Sequence, residues 1–144
     1  GGGWQRPRAA PYPPLVLSAH SLGGVAVAPW APLAPLEALR QVQGALRVAP
    51  ADVGRPNCPP AWRNFAPIPA DLLPFPTQIV SSANDPAVSS QRAMEMARHW
   101  GAAVGSPSQA GHINVKSCHQ RWEQGFAYLY RRQHRLEHHA PRRA

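Results

Sequence analysis

The sequence predicts an α/β fold, a mainly parallel sheet with helices on both faces. Three observations lead there. Short apolar runs suited to buried strands alternate with segments of helical period, and that alternation sets parallel strands side by side with helices covering them. The 144 residues, 44% of them hydrophobic, suit a single domain spanning 1–144, since a chain of this size buries roughly 70% of its unfolded surface. Finally, Ser21, Asp85 and His112 each follow an apolar run, and open α/β sheets keep their chemistry beyond the carboxyl ends of their strands.

Gly1 to Pro14 holds three glycines and four prolines, which predicts an irregular lead-in with Trp4 and Tyr12 available to cover an edge. Leu15 to Ala19 is short and continuously apolar, the pattern of a buried strand. Leu22 to Ala28 predicts a short buried helix ended by Pro29, followed by a turn-rich connection to Pro35. Apolar residues at 36, 39 and 42, with Glu37, Arg40 and Gln41 between them, fit one face of a second helix. Ala45 to Ala49 alternates and is closed by Pro50, a second strand. Pro50 to Pro76 contains eight prolines and no sustained period, so it reads as a long excursion carrying Trp62 and Phe65.

Thr77 to Ala83, rich in β-branched and small residues, predicts a third strand running into Asn84-Asp85-Pro86. Ser89 or Ser90 caps a helix through His99, with Ala93, Met96, Ala97 and Trp100 on its 3.6-residue period. Ala102 to Gly105 predicts a short fourth strand, and Ala110-Gly111-His112-Ile113-Asn114 a loop after it. Arg121 to about Leu136 closes the chain as an amphipathic helix with Trp122, Phe126, Leu129 and Tyr130 on one side. Residues 137–144 form a basic tail.

Composition narrows the function classes. Fifteen Lys and Arg stand against seven Asp and Glu, a formal charge of +8, but much of it is terminal: Arg6 and Arg8 at one end, Arg131, Arg132, Arg135, Arg142 and Arg143 at the other. With no recognised module or aromatic-basic interleaving, this is a solvated basic tail rather than a specific nucleic-acid surface. Two cysteines, Cys58 and Cys118, make no disulfide framework and no C-x-x-C pair, so reduced thiols in a cytoplasmic protein without a metal centre are expected. No apolar run approaches the roughly 18 residues a bilayer span needs, and Gly1-Gly2-Gly3-Trp4-Gln5 does not resemble a signal peptide.

The chemistry gathers at Leu15 to Gly24, Leu-Val-Leu-Ser-Ala-His-Ser-Leu-Gly-Gly. A strand that turns sharply into a helix can hold a serine in a strained, exposed position, provided the residues two before and two after it are small. Here they are Ala19 and Gly23, which makes Ser21 the candidate nucleophile and the Leu22 backbone N–H a candidate oxyanion donor. The same residues also fit an ordinary strand-to-helix turn. Asp85 before Pro86 is a common turn former, and a Gly-His pair in a loop is unremarkable. Together, at three strand ends and in the chain order serine, acid, histidine, they form a candidate catalytic set.

Four stretches carry a resemblance to a known family. They are Ala19-His20-Ser21-Leu22-Gly23-Gly24; Gly44-Ala45-Leu46-Arg47-Val48-Ala49-Pro50; Leu73-Pro74-Phe75-Pro76 leading to Ser81-Ser82-Ala83-Asn84-Asp85-Pro86; and Trp100-Gly101 leading to Ala110-Gly111-His112-Ile113-Asn114. In them the chain resembles the small serine α/β-hydrolases related to human retinoblastoma-binding protein nine, over about residues 15 to 130. The resemblance implies a truncated α/β-hydrolase fold with Ser21 as nucleophile, Asp85 as acid and His112 as base, acting without cofactor on a small ester, thioester or amide. It also implies that the family's first strands, with the loop supplying a second oxyanion N–H, would precede Gly1. Their absence would leave one sheet edge open to self-association. His20 could touch substrate, Trp62 and Phe65 could line an acyl pocket, and Asn114 and Ser82 could support the loops. The alternative is a noncatalytic module that binds a protein partner, or an inert hydrolase fragment.

Overall fold

In the computed structural model, which describes residues 13–107, 109–120 and 122–139, four strands form one sheet in the order β1-β2-β3-β4. They are β1 (Leu15–His20), β2 (Val42–Val48), β3 (Thr77–Val80) and β4 (Ala103–Gly105). All three neighbouring pairs are parallel. The helices are α1 (Leu22–Trp30), α2 (Leu36–Gln41), α3 (Ser90–Trp100) and α4 (Glu123–His139). The α/β expectation holds. Of the lead-in only Pro13 and Pro14 belong to the described residues, and Trp4, Tyr12, residues 140–144 and the side chains of 132–139 lie outside them.

Alternation along the strands divides the core between the two faces. Ile79 packs with Ala28 of α1 and with Val88, Ala93, Met96 and Trp100 of α3 and its approach. Its neighbour Val80 points the other way, into a cluster with Leu46, Val48 and Ile113, against which Trp122, Tyr128 and Leu129 pack. Thus α1 and α3 cover one face and α4 the other.

Several boundaries differ from the sequence expectation. Pro29 lies inside α1 rather than ending it. Its missing N–H forfeits only the bond to the Val25 carbonyl, and the Ala31 N–H closes the helix on the Val27 carbonyl before a 3-10 turn at Ala31–Leu33. Strand β2 starts three residues early, at Val42, and only Gln43 of its residues is exposed. As a central strand covered on both faces it has no solvent side for the apparent alternation to serve. Strand β3 stops at Val80, three residues short, because its partner β4 is only three residues long. In α4, Trp122 precedes the helix, and the expected apolar side is only partly covered: Phe126 is 66% exposed and Tyr130 68%.

The excursion between β2 and β3 is irregular as expected, apart from a 3-10 turn at Pro60–Phe65. Helix α3 is capped by the Ser89 hydroxyl, which accepts the Arg92 N–H at 3.0 Å, and ended by Gly101 at φ 65°. The charge pattern did not foretell Arg47. It sits in the middle of β2 between Ala19 and Ile79, fully buried. Its guanidinium carbon lies 3.5 Å above the centre of the Trp100 ring, and none of its three side-chain nitrogens has a hydrogen-bond partner among the described residues. Burial pushes its pKa well below the usual arginine range, to about 9.

Candidate active site

β1 ends at His20, and Ser21 makes the turn into α1 with φ 54° and ψ −120°. A non-glycine residue is strained in that region. Three backbone bonds hold it there: Ser21 N–H to the Val48 carbonyl at 2.9 Å, and the Val25 and Ala51 N–H groups to the Ser21 carbonyl at 3.3 Å each. The requirement for small neighbours is only loosely visible in the packing. A Cβ on Gly23 would stand 4.0 Å from the Ala19 Cβ, and one on Gly24 3.5 Å from the Pro50 Cα. Both are ordinary van der Waals distances, so a methyl group would fit at either position. The Leu22 N–H falls in the first turn of α1, where amides lack intrahelical acceptors.

Beyond β3 the chain turns at Asp85, whose carboxylate is completely buried. One oxygen accepts the Ala87 N–H at 2.8 Å, and both oxygens lie 2.9 Å from His112 Nδ1. Since a carboxylate only accepts, Nδ1 carries the hydrogen, which leaves the Nε2 lone pair toward Ser21. The Ser21 hydroxyl stands 2.8 Å from Nε2. Residues 21, 85 and 112, set far apart along the chain, thus meet in one continuous hydrogen-bonded row. Such a row can move a proton from hydroxyl to imidazole and stabilise the imidazolium that forms.

The loop carrying His112 is fixed by features that sequence reasoning did not single out. Asn84 Oδ1 accepts both the Ser82 hydroxyl and the Gly111 N–H at 2.7 Å each, tying this loop to the one bearing Asp85. Gly111 takes φ 60°, and a Cβ there would come within 2.7 Å of the Ser117 Cβ. Ser82 and Asn114 were expected as loop supports. Ser82 acts through Asn84, and Asn114 forms a reciprocal cap with Ser117. The available signals were the Asn-Asp-Pro turn and the glycine directly before the histidine.

The proposed substrate contacts fall in different places. The His20 Nε2–H donates to the His112 carbonyl at 2.8 Å, and the two rings lie 4.9 Å apart, so His20 borders the row. Trp62 packs against the cluster of Val25, Ala51 and Ala87, and Phe65 is partly exposed on the same 3-10 turn. Neither lines the apolar recess that opens beside His20. Among the described residues, no group of three or more His, Cys, Asp or Glu side chains is placed to hold a metal ion. No helix among them is long and apolar enough to cross a membrane.

A parallel sheet flanked by helices, with these residues beyond its strand ends, defines an α/β-hydrolase fold. The chain belongs to the serine hydrolase family, whose model matches residues 5–131. It is similar to the crystal structure of a candidate YdeN-like hydrolase from Pectobacterium atrosepticum, at 28% identity and a TM-score of 0.70, over 85% of this chain and 61% of that one. It shares the fold of MGS-MChE2, an α/β-hydrolase enzyme from a sediment metagenome of the Mar Chica lagoon (14% identity, TM-score 0.61, covering 85% and 63%). The same holds for the esterase domain of a Rhodothermus marinus protein (20% identity, TM-score 0.52, covering 81% and 59%). The chain therefore spans about three fifths of the length of these structures. No curated protein matches it.

Proposed function

We propose that the chain hydrolyses small esters, thioesters or amides through an acyl-enzyme, with Ser21 as nucleophile, His112 as general base and then acid, and Asp85 orienting the imidazole. The observation that carries this reading is the row from Ser21 Oγ through the His112 ring to Asp85, with contacts of 2.8 and 2.9 Å. His112 takes the hydroxyl proton as Oγ attacks the carbonyl carbon, and returns it to the leaving oxygen, sulfur or nitrogen as that bond breaks. Water then attacks the acyl group with the same imidazole as base. The Leu22 N–H faces the developing oxyanion, and His20 contacts substrate while holding the His112 backbone. The resemblance in the four stretches quoted above supports a kinship with the hydrolases related to retinoblastoma-binding protein nine. The unbridged Cys58 and Cys118 suit a reducing compartment such as the cytoplasm.

A noncatalytic binding role is the competing reading, and one observation favours it: among the described residues β1 pairs only with β2, so within them its outer edge has no strand partner. Labelling with a fluorophosphonate probe, read by intact mass and peptide mapping, separates the two. The expected result is one adduct on Ser21, lost in Ser21→Ala and His112→Ala. A folded protein that takes no adduct would sink the catalytic reading and leave the binding one.

A further inference from the structure

Where the chain leaves β2 it runs between the turn of Ser21 and the loop of Asp85. Two consecutive amides bridge them: the Ala51 N–H donates to the Ser21 carbonyl at 3.3 Å, and the Asp52 N–H to the Ala87 carbonyl at 2.9 Å. Ala87 is also the residue whose own N–H donates to the Asp85 carboxylate at 2.8 Å. It is buried, and bonds on both sides of its Cα hold its two soft torsions together.

Arg55 strengthens this brace. Its Nη1 donates to the Asp52 carbonyl at 2.9 Å and to the Ala87 carbonyl at 3.2 Å. One guanidinium nitrogen thus closes the turn and ties it to the acid loop, and the Ala87 carbonyl uses both of its lone pairs. This is not the placement of an arginine held by solvent. Its Nε is buried with no hydrogen-bond partner among the described residues, whereas a surface arginine keeps its charged head in water. Its guanidinium carbon lies 5.6 Å from the centre of the Trp62 ring, close enough for cation–π attraction. Trp62 in turn packs on Val25, Ala51 and Ala87, so the indole covers both the cation and the brace. From the other side the turn is secured by Asp52, whose carboxylate accepts the Gly54 N–H at 3.1 Å and lies 3.5 Å from Arg92 Nε on α3.

We propose that Arg55 is a positioning residue for the reaction: through the Ala87 carbonyl it holds the Asp85 carboxylate against His112 Nδ1. The proposal rests on the hydrolase reading above. Both Asp85 oxygens lie 2.9 Å from Nδ1, so a small rotation of the carboxylate changes which oxygen takes the hydrogen and how the imidazole faces Ser21 Oγ. Removing Arg55 leaves, among the described residues, the Asp52 N–H as the donor to the Ala87 carbonyl, and the acid loop gains freedom to make that rotation.

Two readouts on the full chain test this. Fluorophosphonate labelling of Ser21 at several probe concentrations separates the limiting rate, kinact, from the probe affinity, KI. The low-field NMR signal of the His112 Nδ1–H reports its bond to Asp85 directly. Arg55→Met removes the donors and keeps an unbranched chain beside Trp62. At a temperature where this variant is folded, kinact should fall at least about tenfold, KI should stay as it was, and the Nδ1–H signal should shift or broaden. Arg55→Lys keeps a charge and donors without the rigid planar fork; it should fall between the two, and it carries the test if the methionine variant does not fold. Labelling at the wild-type rate in the folded methionine variant, or failing that in the lysine variant, overturns the proposal. So does a loss confined to KI, or slower labelling with the Nδ1–H signal unmoved, since either places the action of Arg55 elsewhere than on the acid. If the wild type takes no adduct, the hydrolase reading fails, and the Nδ1–H signal by itself decides whether Arg55 holds Asp85.

Discussion

Replacing Arg47 with methionine should make the protein more stable. Arg47 is fully buried in β2, and its Nε and both Nη atoms lack hydrogen-bond partners among the described residues. A fall in pKa from the usual arginine range to about 9 corresponds, at 1.36 kcal/mol per unit, to about 5 kcal/mol of native-state penalty on the charged form. The face of Trp100, 3.5 Å away, returns about 2 kcal/mol of that through cation–π attraction. Methionine is unbranched and of similar length, so it fills the space over Trp100 without leaving a large cavity. The net gain should be about 3 kcal/mol, or roughly 10 °C in Tm for a chain of this size.

Denaturant unfolding at pH 7.5 and 10.5 provides the assay, and the pH dependence identifies the cause. The folded-state pKa lies below the unfolded one, so above about pH 9 the unfolded chain binds more protons at residue 47 and stability rises with pH. At pH 10.5 the wild type should therefore recover part of that penalty, and the advantage of Arg47→Met should shrink correspondingly. A variant less stable than wild type at pH 7.5, or a stability gap that ignores pH, would show that the guanidinium has an anionic partner and refute the reasoning.

Substitutions at two further positions test the site's backbone. Gly111→Ala forces a side chain into a φ of 60° and to within 2.7 Å of the Ser117 Cβ; it should cost about 2–3 kcal/mol and, by displacing His112, slow Ser21 labelling about 100-fold, and labelling at the wild-type rate would count against the loop's positioning role. Ser21→Gly and Ser21→Ala should both abolish labelling, yet the glycine variant should be the more stable by about 1 kcal/mol because only alanine keeps the strain at φ 54°; equal unfolding midpoints would mean that the turn is not strained.

Much of the architecture was legible because it depends on local pattern. The run Leu15 to His20, the capped helix after Ser89 and the proline-dense stretch 50–76 each declare themselves within a dozen residues. The order of serine, acid and histidine was legible for the same reason, since each lies directly after a recognisable run. Strand lengths were not. β3 ends where β4 stops offering partners, a fact held by residues 103–105 rather than by 77–83. Nor could periodicity say that Phe126 stays exposed while Leu129 packs, because the answer depends on how far α4 reaches across the sheet. Asn84 was hidden in the same way: as a sequence feature it is a turn residue, and only the fold brings the Gly111 N–H to its carbonyl oxygen.

The positions that break local rules separate into two kinds, and the difference bears on function. Of the residues at positive φ, Ser21 and Gly111 stand at the candidate site: the first turns a hydroxyl toward His112, and the second directly precedes His112. Strain held in place by surrounding hydrogen bonds is what a preorganised site requires. Arg47 breaks a rule of a different kind: it stacks on Trp100, and its polar side-chain atoms have no hydrogen-bond partner among the described residues. A stabilising change at residue 47 should therefore leave Ser21 labelling as it was, whereas one at residue 21 removes it. On this reading the strained turn at Ser21 goes with the proposed chemistry, and the buried charge at Arg47 is separable from it.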